Sequence, residues 1–176
     1  VSYDSNGRAL MVQRCHSRYS NRIFAAPISS QFLDYLEDQK KFLKILPHKL
    51  RKQVLLRLYP VDFGLDQINR WKDNMPEIEI ETGEQNILKL IKKSRLYIST
   101  YNATTYLESL YWNIPTIIFW NTKHWELKEN AKPYFEYLKS AGIFHDTPES
   151  AAQQMTKIWD DVDFWWNSEV VQNARH

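Results

Sequence analysis

The sequence has 176 residues, of which 43% are hydrophobic and 25% are charged, as is typical of a globular domain. Its 23 Lys and Arg residues and 21 Asp and Glu residues leave a formal net charge of +2, which is too balanced to indicate nucleic-acid binding. No apolar run approaches the roughly 20 residues of a membrane-spanning helix. The single cysteine, Cys15, excludes an internal disulfide and a cysteine-based zinc site and fits a reducing compartment.

The two ends of the sequence suggest a part of a longer protein. The chain starts without methionine, and its first seven residues are polar rather than a signal peptide. Its last seven residues have the pattern of an interrupted helix. Since the length is that of one ordinary domain, we expect residues 1–176 to form a single domain of a longer chain.

The first half of the sequence predicts strands separated by helices. The predicted elements are a strand at 9–12, a strand at 22–27, a helix at 31–46, a buried strand at 53–59, a short helix at 66–71, an edge strand at 77–81 and a helix at 83–93. Ser29 or Ser30 is expected to cap the long helix, and Asp66 the short one. Thr82 with Gln85 three residues later has the spacing of a capping box for the last helix.

Residues 95–121 form the unit around which the rest of the domain is organised. The pattern there is an apolar strand, a polar turn, a short helix and a second strand. Ala103, Leu107 and Leu110 have the spacing of side chains that a helix turns towards the core. Asn113 marks the end of this helix, because asparagine tolerates the left-handed backbone conformation found at many helix ends.

The remaining elements complete an alternating pattern. They are a strand at 116–120, a helix at 126–140, a short strand at 143–144 and a long helix that Thr147 is expected to cap. Strands that alternate with helices at this spacing predict a parallel sheet with helices on both faces. The fold expected is therefore a three-layer, Rossmann-like α/β domain with a mostly parallel sheet.

The polar turn of the central unit is the leading candidate for a ligand site. Ligands of open α/β sheets bind where strands end and helices begin, because free backbone N–H groups and the helix dipole converge there. On that helix Glu108 follows Thr104 by four residues, shares its face, and would accept two hydroxyl groups of a ribose. The alternative is an ordinary capped helix with a solvated glutamate. The candidate residues are Tyr101, Asn102, Ala103, Thr104, Thr105 and Glu108.

Two further candidates lie outside this unit. Arg57 ends a buried strand, where its guanidinium would offer a fork of donors to a diphosphate; the alternative is a core-edge arginine paired with Asp62 or Glu108. His124 lies in the loop after the second strand of the central unit and would reach a ligand if that loop closed; the alternative is an ordinary surface residue. The basic segment at 40–57 predicts a solvated face, with contact to anionic lipid or an acceptor glycan as the alternative.

The central unit carries a resemblance to a known class of enzymes. The string STYNATTYLESL at 99–110, followed by NIPTII at 113–118, resembles an element in the C-terminal half of GT-B glycosyltransferases. More narrowly, it is similar to a family of bacterial transferases for surface carbohydrates, capsule or lipopolysaccharide. The resemblance covers most of the chain from about Arg57 onward. Two departures are Asn113, where glycine is usual, and the lack of the glycine-rich loop that some donor sites use.

This resemblance implies a role for each part of the site. A nucleotide sugar is the implied donor substrate, with no further cofactor and no metal. Glu108 would bind the ribose, the N–H groups of Ala103, Thr104 and Thr105 would hold the diphosphate, and the loop before Thr82 would approach the base. The implied partners are a glycan or lipid-linked acceptor and a missing N-terminal acceptor domain, which supplies the catalytic base. The implied location is the cytoplasm or the inner face of the cytoplasmic membrane.

Two other functions fit the same pattern. A transferase of a polyol phosphate, such as glycerol phosphate from its CDP ester, would use a similar scaffold. A domain that kept the fold as a protein-interaction module would bind no nucleotide. If the chain is the donor half of a glycosyltransferase, the isolated chain is expected to bind nucleotide weakly and to catalyse nothing, because the acceptor half is missing.

Overall fold

The computed structural model describes residues 3–19 and 29–176, so the strand predicted at 22–27 lies outside the described residues. The strands are β1 (Arg8–Val12), β2 (Val54–Arg57), β3 (Glu79–Glu81), β4 (Ser94–Ser99), β5 (Thr116–Phe119) and β6 (Phe144–His145). The helices are α1 (Phe32–Ile45), α2 (His48–Arg51), α3 (Gln67–Lys72), α4 (Ile87–Lys92), α5 (Thr104–Tyr111), α6 (Lys132–Ser140), α7 (Pro148–Ile158), α8 (Val162–Trp166) and α9 (Glu169–Arg175).

All six strands are parallel, in the order β3-β2-β1-β4-β5-β6. The chain builds outward from β1 to β3, then crosses back to the other side of β1 and builds outward again from β4 to β6. With flanking helices this is the predicted three-layer, Rossmann-like α/β fold. Because the direction of winding reverses between β1 and β4, their carboxyl ends open a crevice at which ligands of such folds bind.

The strands in the centre of the sheet are mostly apolar because their side chains form the core. The side chains of Leu10, Tyr97 and Ile117 are at most 2% exposed, as expected for strands that helices cover on both faces. On one face α1 packs against α7, and the ring of Phe42 from α1 stacks on Phe119 of β5 with 4.9 Å between centroids. The edge position of β3 agrees with the alternating, acidic pattern of its sequence.

Several helix starts differ from those expected. The N-cap position of α1 is Gln31, after a 3-10 turn at Ser29–Gln31, and no side chain caps it. The helix expected at 126–140 starts only at Lys132, because Pro133 lacks an N–H and suits the first turn rather than the interior. Thr147 does cap α7, since its hydroxyl accepts a hydrogen bond from the backbone N–H of Ser150.

Asp62, rather than Asp66, supports the start of α3. Asp66 has a left-handed backbone with φ of 55°, whereas a capping residue normally has an extended one. The carboxylate of Asp62 accepts hydrogen bonds from the backbone N–H groups of Asp66 and Gln67, at 2.8 and 2.7 Å. These hydrogen bonds hold the pKa of Asp62 below its usual value despite partial desolvation, which raises it.

Asn113 occupies the left-handed conformation that the sequence predicts, with φ of 58°. Its side-chain oxygen accepts hydrogen bonds from Trp166 Nε1 at 2.8 Å and from Gln172 Nε2 at 3.1 Å. Asn113 therefore both ends α5 and attaches the C-terminal helices to the sheet.

We expect Asn113→Ala to lower the free energy of unfolding by about 2–3 kcal/mol. Alanine tolerates the left-handed conformation less well than asparagine, and the variant loses the two side-chain hydrogen bonds. Asn113→Gly removes the same hydrogen bonds without the steric cost and should lower it by only about 1 kcal/mol. Urea unfolding followed by tryptophan fluorescence measures both values. Equal losses in the two variants would contradict a conformational role for this residue.

His145 ends β6 in a buried position and is contacted at both ring nitrogens. Its Nε2 lies 3.0 Å from the carbonyl oxygen of Gly142, and its Nδ1 lies 3.1 Å from the hydroxyl of Ser150. Burial lowers the pKa of His145, although the contact with the Gly142 carbonyl opposes that effect. The folded protein therefore favours the neutral imidazole.

Acidification is expected to destabilise the domain through this residue. The pKa of His145 in the folded protein lies below its value of about 6.5 in the unfolded chain. At a pH between these two values the unfolded chain binds more protons, so the free energy of unfolding decreases as the pH drops through this range. Unfolding free energies measured from pH 7.5 to pH 5.5 should fall less steeply for His145→Gln than for the wild type. His48→Gln, at an exposed histidine, should keep the wild-type slope. An unchanged slope in His145→Gln would refute the assignment.

Candidate functional site

Hydrogen bonds tie the carboxyl ends of β1 and β4 together. The hydroxyl of Thr100, directly after β4, donates to the carbonyl oxygen of Val12 at 2.7 Å. The hydroxyl of Tyr35 from α1 lies 2.7 Å from that of Thr100 and accepts from the backbone N–H of Arg14 at 2.9 Å. Because the single hydroxyl proton of Thr100 is donated to Val12, the hydroxyl of Tyr35, whose pKa is raised by burial, is the donor to Thr100. One buried side chain thus fixes both walls of the crevice.

The end of β1 is also fixed on its other side. Gln13, which is 1% exposed, donates from Nε2 to the side-chain oxygen of Gln67 at 3.0 Å. Its own side-chain oxygen accepts from Trp71 Nε1 at 2.6 Å. Both partners lie on α3. The segment that follows β1 is therefore held by buried polar contacts to two helices, α1 and α3.

The helix at this crevice starts without a side-chain cap. Ala103 occupies the N-cap position of α5 with an extended backbone, and no side chain among the described residues accepts from the first-turn N–H groups. These groups lie at Thr104, Thr105 and Tyr106, where an α-helix has no internal acceptor for them. An uncapped helix start at a topological switch point offers an anion several N–H donors and the positive end of the helix dipole.

The other candidates of the central unit surround this helix start. Asn102 accepts a hydrogen bond from the Tyr106 hydroxyl at 3.1 Å, and Tyr101 directly precedes it in the turn. The pKa of Tyr101 is raised, chiefly by burial, although nearby arginines oppose that effect, so its hydroxyl stays neutral. The structure thus brings Tyr101, Asn102, Ala103, Thr104 and Thr105 together at one turn.

Glu108 lies one turn further along α5 and is exposed, as is Thr104, so the two share the predicted face. The prediction for Leu107 is wrong, because it is 55% exposed rather than directed to the core. Tyr106, Ser109 and Leu110 form the buried face instead. The ring of Tyr106 packs on Trp120 at 5.8 Å, which turns the helix by one position relative to the expected stripe.

Arg14 is a further candidate for the site, which the sequence shows only as part of a basic patch with His16 and Arg18. It follows β1 by two residues, is half-buried, and holds its guanidinium over the ring of Tyr101 at 5.8 Å from the centroid. Within residues 3–19 and 29–176 it has no acidic partner. An uncompensated guanidinium beside an uncapped helix start is suited to bind a phosphate. Its position directly after a central strand was the available signal.

Arg57 ends β2 as predicted, but its guanidinium is already bound by protein groups. Its Nη1 contacts Glu81 at 2.5 Å and donates to the carbonyl oxygen of Gln85 at 2.8 Å, while Nη2 donates to that of Gly83 at 3.2 Å. The acidic partner is therefore Glu81, and neither Asp62 nor Glu108. Glu81 is only 6% exposed, so this part of the acidic edge strand holds an internal ion pair.

The Arg57–Glu81 pair also explains why the expected capping box is absent. The Glu81 carboxylate accepts from the N–H groups of Gly83 and Gln85, both at 3.0 Å, so it fixes the turn that follows β3. The helix then starts later, at Ile87, and Asn86 caps it. Gly83 has φ of 89°, and a Cβ there would lie 2.7 Å from the Cα of Pro60.

This turn borders a cavity of about 230 Å³ beside the carboxyl end of β2. The cavity is lined by Tyr59 and Pro60 on one side and by Thr82 and Glu84 on the other. Its position next to Thr82 is where the resemblance expects a nucleotide base to approach. The volume is below the roughly 300 Å³ of a typical complete ligand pocket, so it would hold only part of a nucleotide.

His124 lies with α1 rather than with the start of α5. Its ring packs edge-on against Trp125 at 6.1 Å, and Trp125 in turn contacts Tyr35 of α1 at 5.6 Å. The charge of His124 also lowers the pKa of Asp38 on α1, against a larger increase from burial. A role of His124 towards the donor remains a prediction.

Comparison with protein families identifies the chain. The LIC12162 family transferase description matches residues 1–176, the full length of the sequence. The chain belongs to this transferase family. No curated protein matches it. Arg14 and the start of α5 lie at the carboxyl edge of the sheet, where open α/β folds generally bind their ligands.

Residues 3–19 and 29–176 contain neither a candidate metal site nor a candidate membrane-spanning helix. No group of three or more His, Cys, Asp or Glu side chains there is arranged to hold a metal ion. None of the helices there has the length and apolar character needed to cross a membrane.

Proposed function

We propose that this member of the LIC12162 transferase family is the donor-binding half of a GT-B-type glycosyltransferase that builds bacterial surface polysaccharide. The observation that carries the proposal is the uncapped start of α5 at the switch point, with the guanidinium of Arg14 beside it and no acidic partner for that guanidinium among the described residues. Family membership supports the transfer of a group, and the chemistry of the crevice supports an anionic donor.

The proposed donor is a nucleoside diphosphate sugar. Its diphosphate would receive hydrogen bonds from the first-turn N–H groups and from the hydroxyls of Thr104 and Thr105, and Arg14 would supply the counter-charge. The exposed carboxylate of Glu108, one turn further along the same face, would accept the two ribose hydroxyls.

These contacts favour the transfer step by stabilising the leaving group. The bond between the anomeric carbon and the diphosphate oxygen breaks, an acceptor hydroxyl oxygen bonds to that carbon, and the nucleoside diphosphate leaves with an added negative charge. Fixed N–H donors and an arginine stabilise that charge without having to reorganise. We assign the base that takes the acceptor proton to the other half of the enzyme.

Calorimetric titration with UDP, CDP, GDP and CMP tests this proposal. We expect saturable binding of at least one diphosphate, weakened tenfold or more in Glu108→Ala and unchanged in Glu136→Ala, an exposed glutamate on α6. No binding of any of these nucleotides would contradict the proposal and favour an interaction module. A preference for CMP would favour a polyol-phosphate transferase, because CMP is the leaving group of that reaction.

A further inference from the structure

The opposite edge of the sheet has a different chemical character. In a parallel α/β fold all strands start, and the connecting helices end, at one edge, here called the amino edge. α1, α2, α4 and α7 end there, beside the starts of β2 and β4. The amino edge carries seven cationic residues, which are Lys44, Lys49, Lys52, Lys92, Lys93, Arg95 and Lys157.

These cations lack acidic partners. The six lysines are exposed, and none of the seven residues forms an ion pair with another residue that the structure describes. Of the acidic residues near this edge, Glu77 and Glu79 are already paired, with Arg51 and Arg8, while Asp4 and Asp160 are exposed. A chain with a net charge of only +2 therefore concentrates an excess of positive charge at one edge.

Aromatic and apolar side chains lie among these cations. Tyr111 at the end of α5 is 84% exposed, and Ile45 at the end of α1 is 40% exposed. The ammonium of Lys92 lies over the ring of Trp112 at 5.3 Å. Tyrosine and tryptophan rings mixed with lysine are characteristic of protein surfaces at the membrane–water interface.

A cavity of about 510 Å³ opens within this edge. Lys49 and Arg95 line it together with the polar side chains of Asn6, Gln53 and Thr156 and one carboxylate, that of Asp160. The two cations leave the lining with a net positive charge of one. Two cations with amide and hydroxyl donors match the phosphodiester of a lipid headgroup, which presents one negative charge and several acceptor oxygens.

We propose that the amino edge docks the domain on an anionic membrane surface, with a lipid phosphodiester in the cavity beside Lys49 and Arg95. Nucleic acid fits this surface less well, because the rings of Trp112 and Trp159 are each covered by a cation and are closed to base stacking. Lysines at helix ends also stabilise helix dipoles, but that role requires neither the aromatic side chains nor the cavity.

Docking in this way would orient the nucleotide site. The strands are four to six residues long in the centre of the sheet, which separates its two edges by roughly 13–20 Å at about 3.3 Å per residue. The crevice at β1 and β4 would face the aqueous side, open to a soluble nucleotide. This inference rests on the amino edge alone and does not depend on the proposed function.

Co-sedimentation with vesicles tests the proposal. The wild type should bind vesicles of phosphatidylcholine mixed with phosphatidylglycerol, and should not bind vesicles of phosphatidylcholine alone. Combining Lys49→Glu, Lys52→Glu and Lys93→Glu should weaken binding by at least about tenfold, given roughly 1 kcal/mol per basic residue near such a surface. Lys123→Glu with Lys128→Glu, at exposed lysines after β5, is the matched control and should bind as the wild type does.

Three results would overturn this proposal. One is equal binding of the wild type to anionic and neutral vesicles. Another is a triple variant that melts at a lower temperature but binds vesicles unchanged, which would leave the lysines a role in helix stability only. The third is displacement of the vesicles by RNA at equal phosphate concentration. Nucleotide titration of the triple variant should match the wild type, so this test and that of the proposed function fail independently.

Discussion

Replacing Arg57 with alanine is expected to lower the free energy of unfolding by about 3–5 kcal/mol, because it leaves the buried carboxylate of Glu81 without its cationic partner. Glu81 is 6% exposed and has no second cationic partner among the described residues. The carbonyl groups of Gly83 and Gln85 lose their donor in the same variant. The turn after β3 should therefore loosen together with the edge of the sheet.

Chemical unfolding of matched variants measures this effect. Arg8→Ala removes an ion pair to Glu79 in the same sheet, but both of those side chains are substantially exposed, so the loss should be below about 1 kcal/mol. Replacing Arg57 and Glu81 together by leucine and methionine should recover part of the loss, since it leaves no unpaired charge. If Arg57→Ala were as mild as Arg8→Ala, the pair would not hold the turn.

Because Arg57 holds the turn after β3, its predicted contact with the nucleotide must be tested with a variant that keeps this turn folded. A variant that unfolds the turn would also lose nucleotide binding, whatever Arg57 contacts in the complex. Arg57→Lys keeps the charge opposite Glu81 and removes only the fork of donors. Arg57→Lys should keep most of the binding if Arg14 supplies the main counter-charge.

Arg14→Ala is expected to weaken nucleoside diphosphate binding by roughly 10- to 100-fold, with less than about 1 kcal/mol lost in stability. A hydrogen bond to a charged group contributes about 1.5–3 kcal/mol, and each 1.4 kcal/mol is a factor of ten. The guanidinium contacts only the ring of Tyr101 among the described residues, so the fold itself loses little.

The comparison of ligands makes the Arg14 test specific. The affinity for the matching nucleoside, which carries no phosphate, should be unchanged in Arg14→Ala. Arg18→Ala is the control, because Arg18 belongs to the same basic stretch but lies over the exposed ring of Tyr19. An equal loss for nucleoside and diphosphate, or an equal loss in Arg18→Ala, would contradict a phosphate contact at Arg14.

The sequence was sufficient to predict the fold because each strand, cap and turn depends on residues that are close together in the chain. The uniformly apolar strands, the alternating edge strand, the cap at Thr147 and the left-handed Asn113 all follow from residues within a few positions of one another. The turn from Tyr101 to Thr105 was found in the same way, as a polar cluster between a strand and a helix.

Contacts distant in sequence account for what the patterns missed. The capping box failed because Glu81 is bound by Arg57, and Leu107 faces solvent because Tyr106 packs on Trp120. Arg14 became a candidate only through the strand order, which places β1 beside β4. No spacing rule along the chain brings these two segments together.

The most direct test of the nucleotide site is a two-dimensional amide NMR titration of the domain with UDP, CDP and GDP. At 21.1 kDa the protein gives resolved backbone amide signals. We predict saturable shifts that are largest for the amides of Ala103, Thr104, Thr105 and Tyr106, with smaller shifts next to Arg14. Absence of shifts there, or saturable shifts confined to another part of the domain, would contradict a diphosphate site at the start of α5.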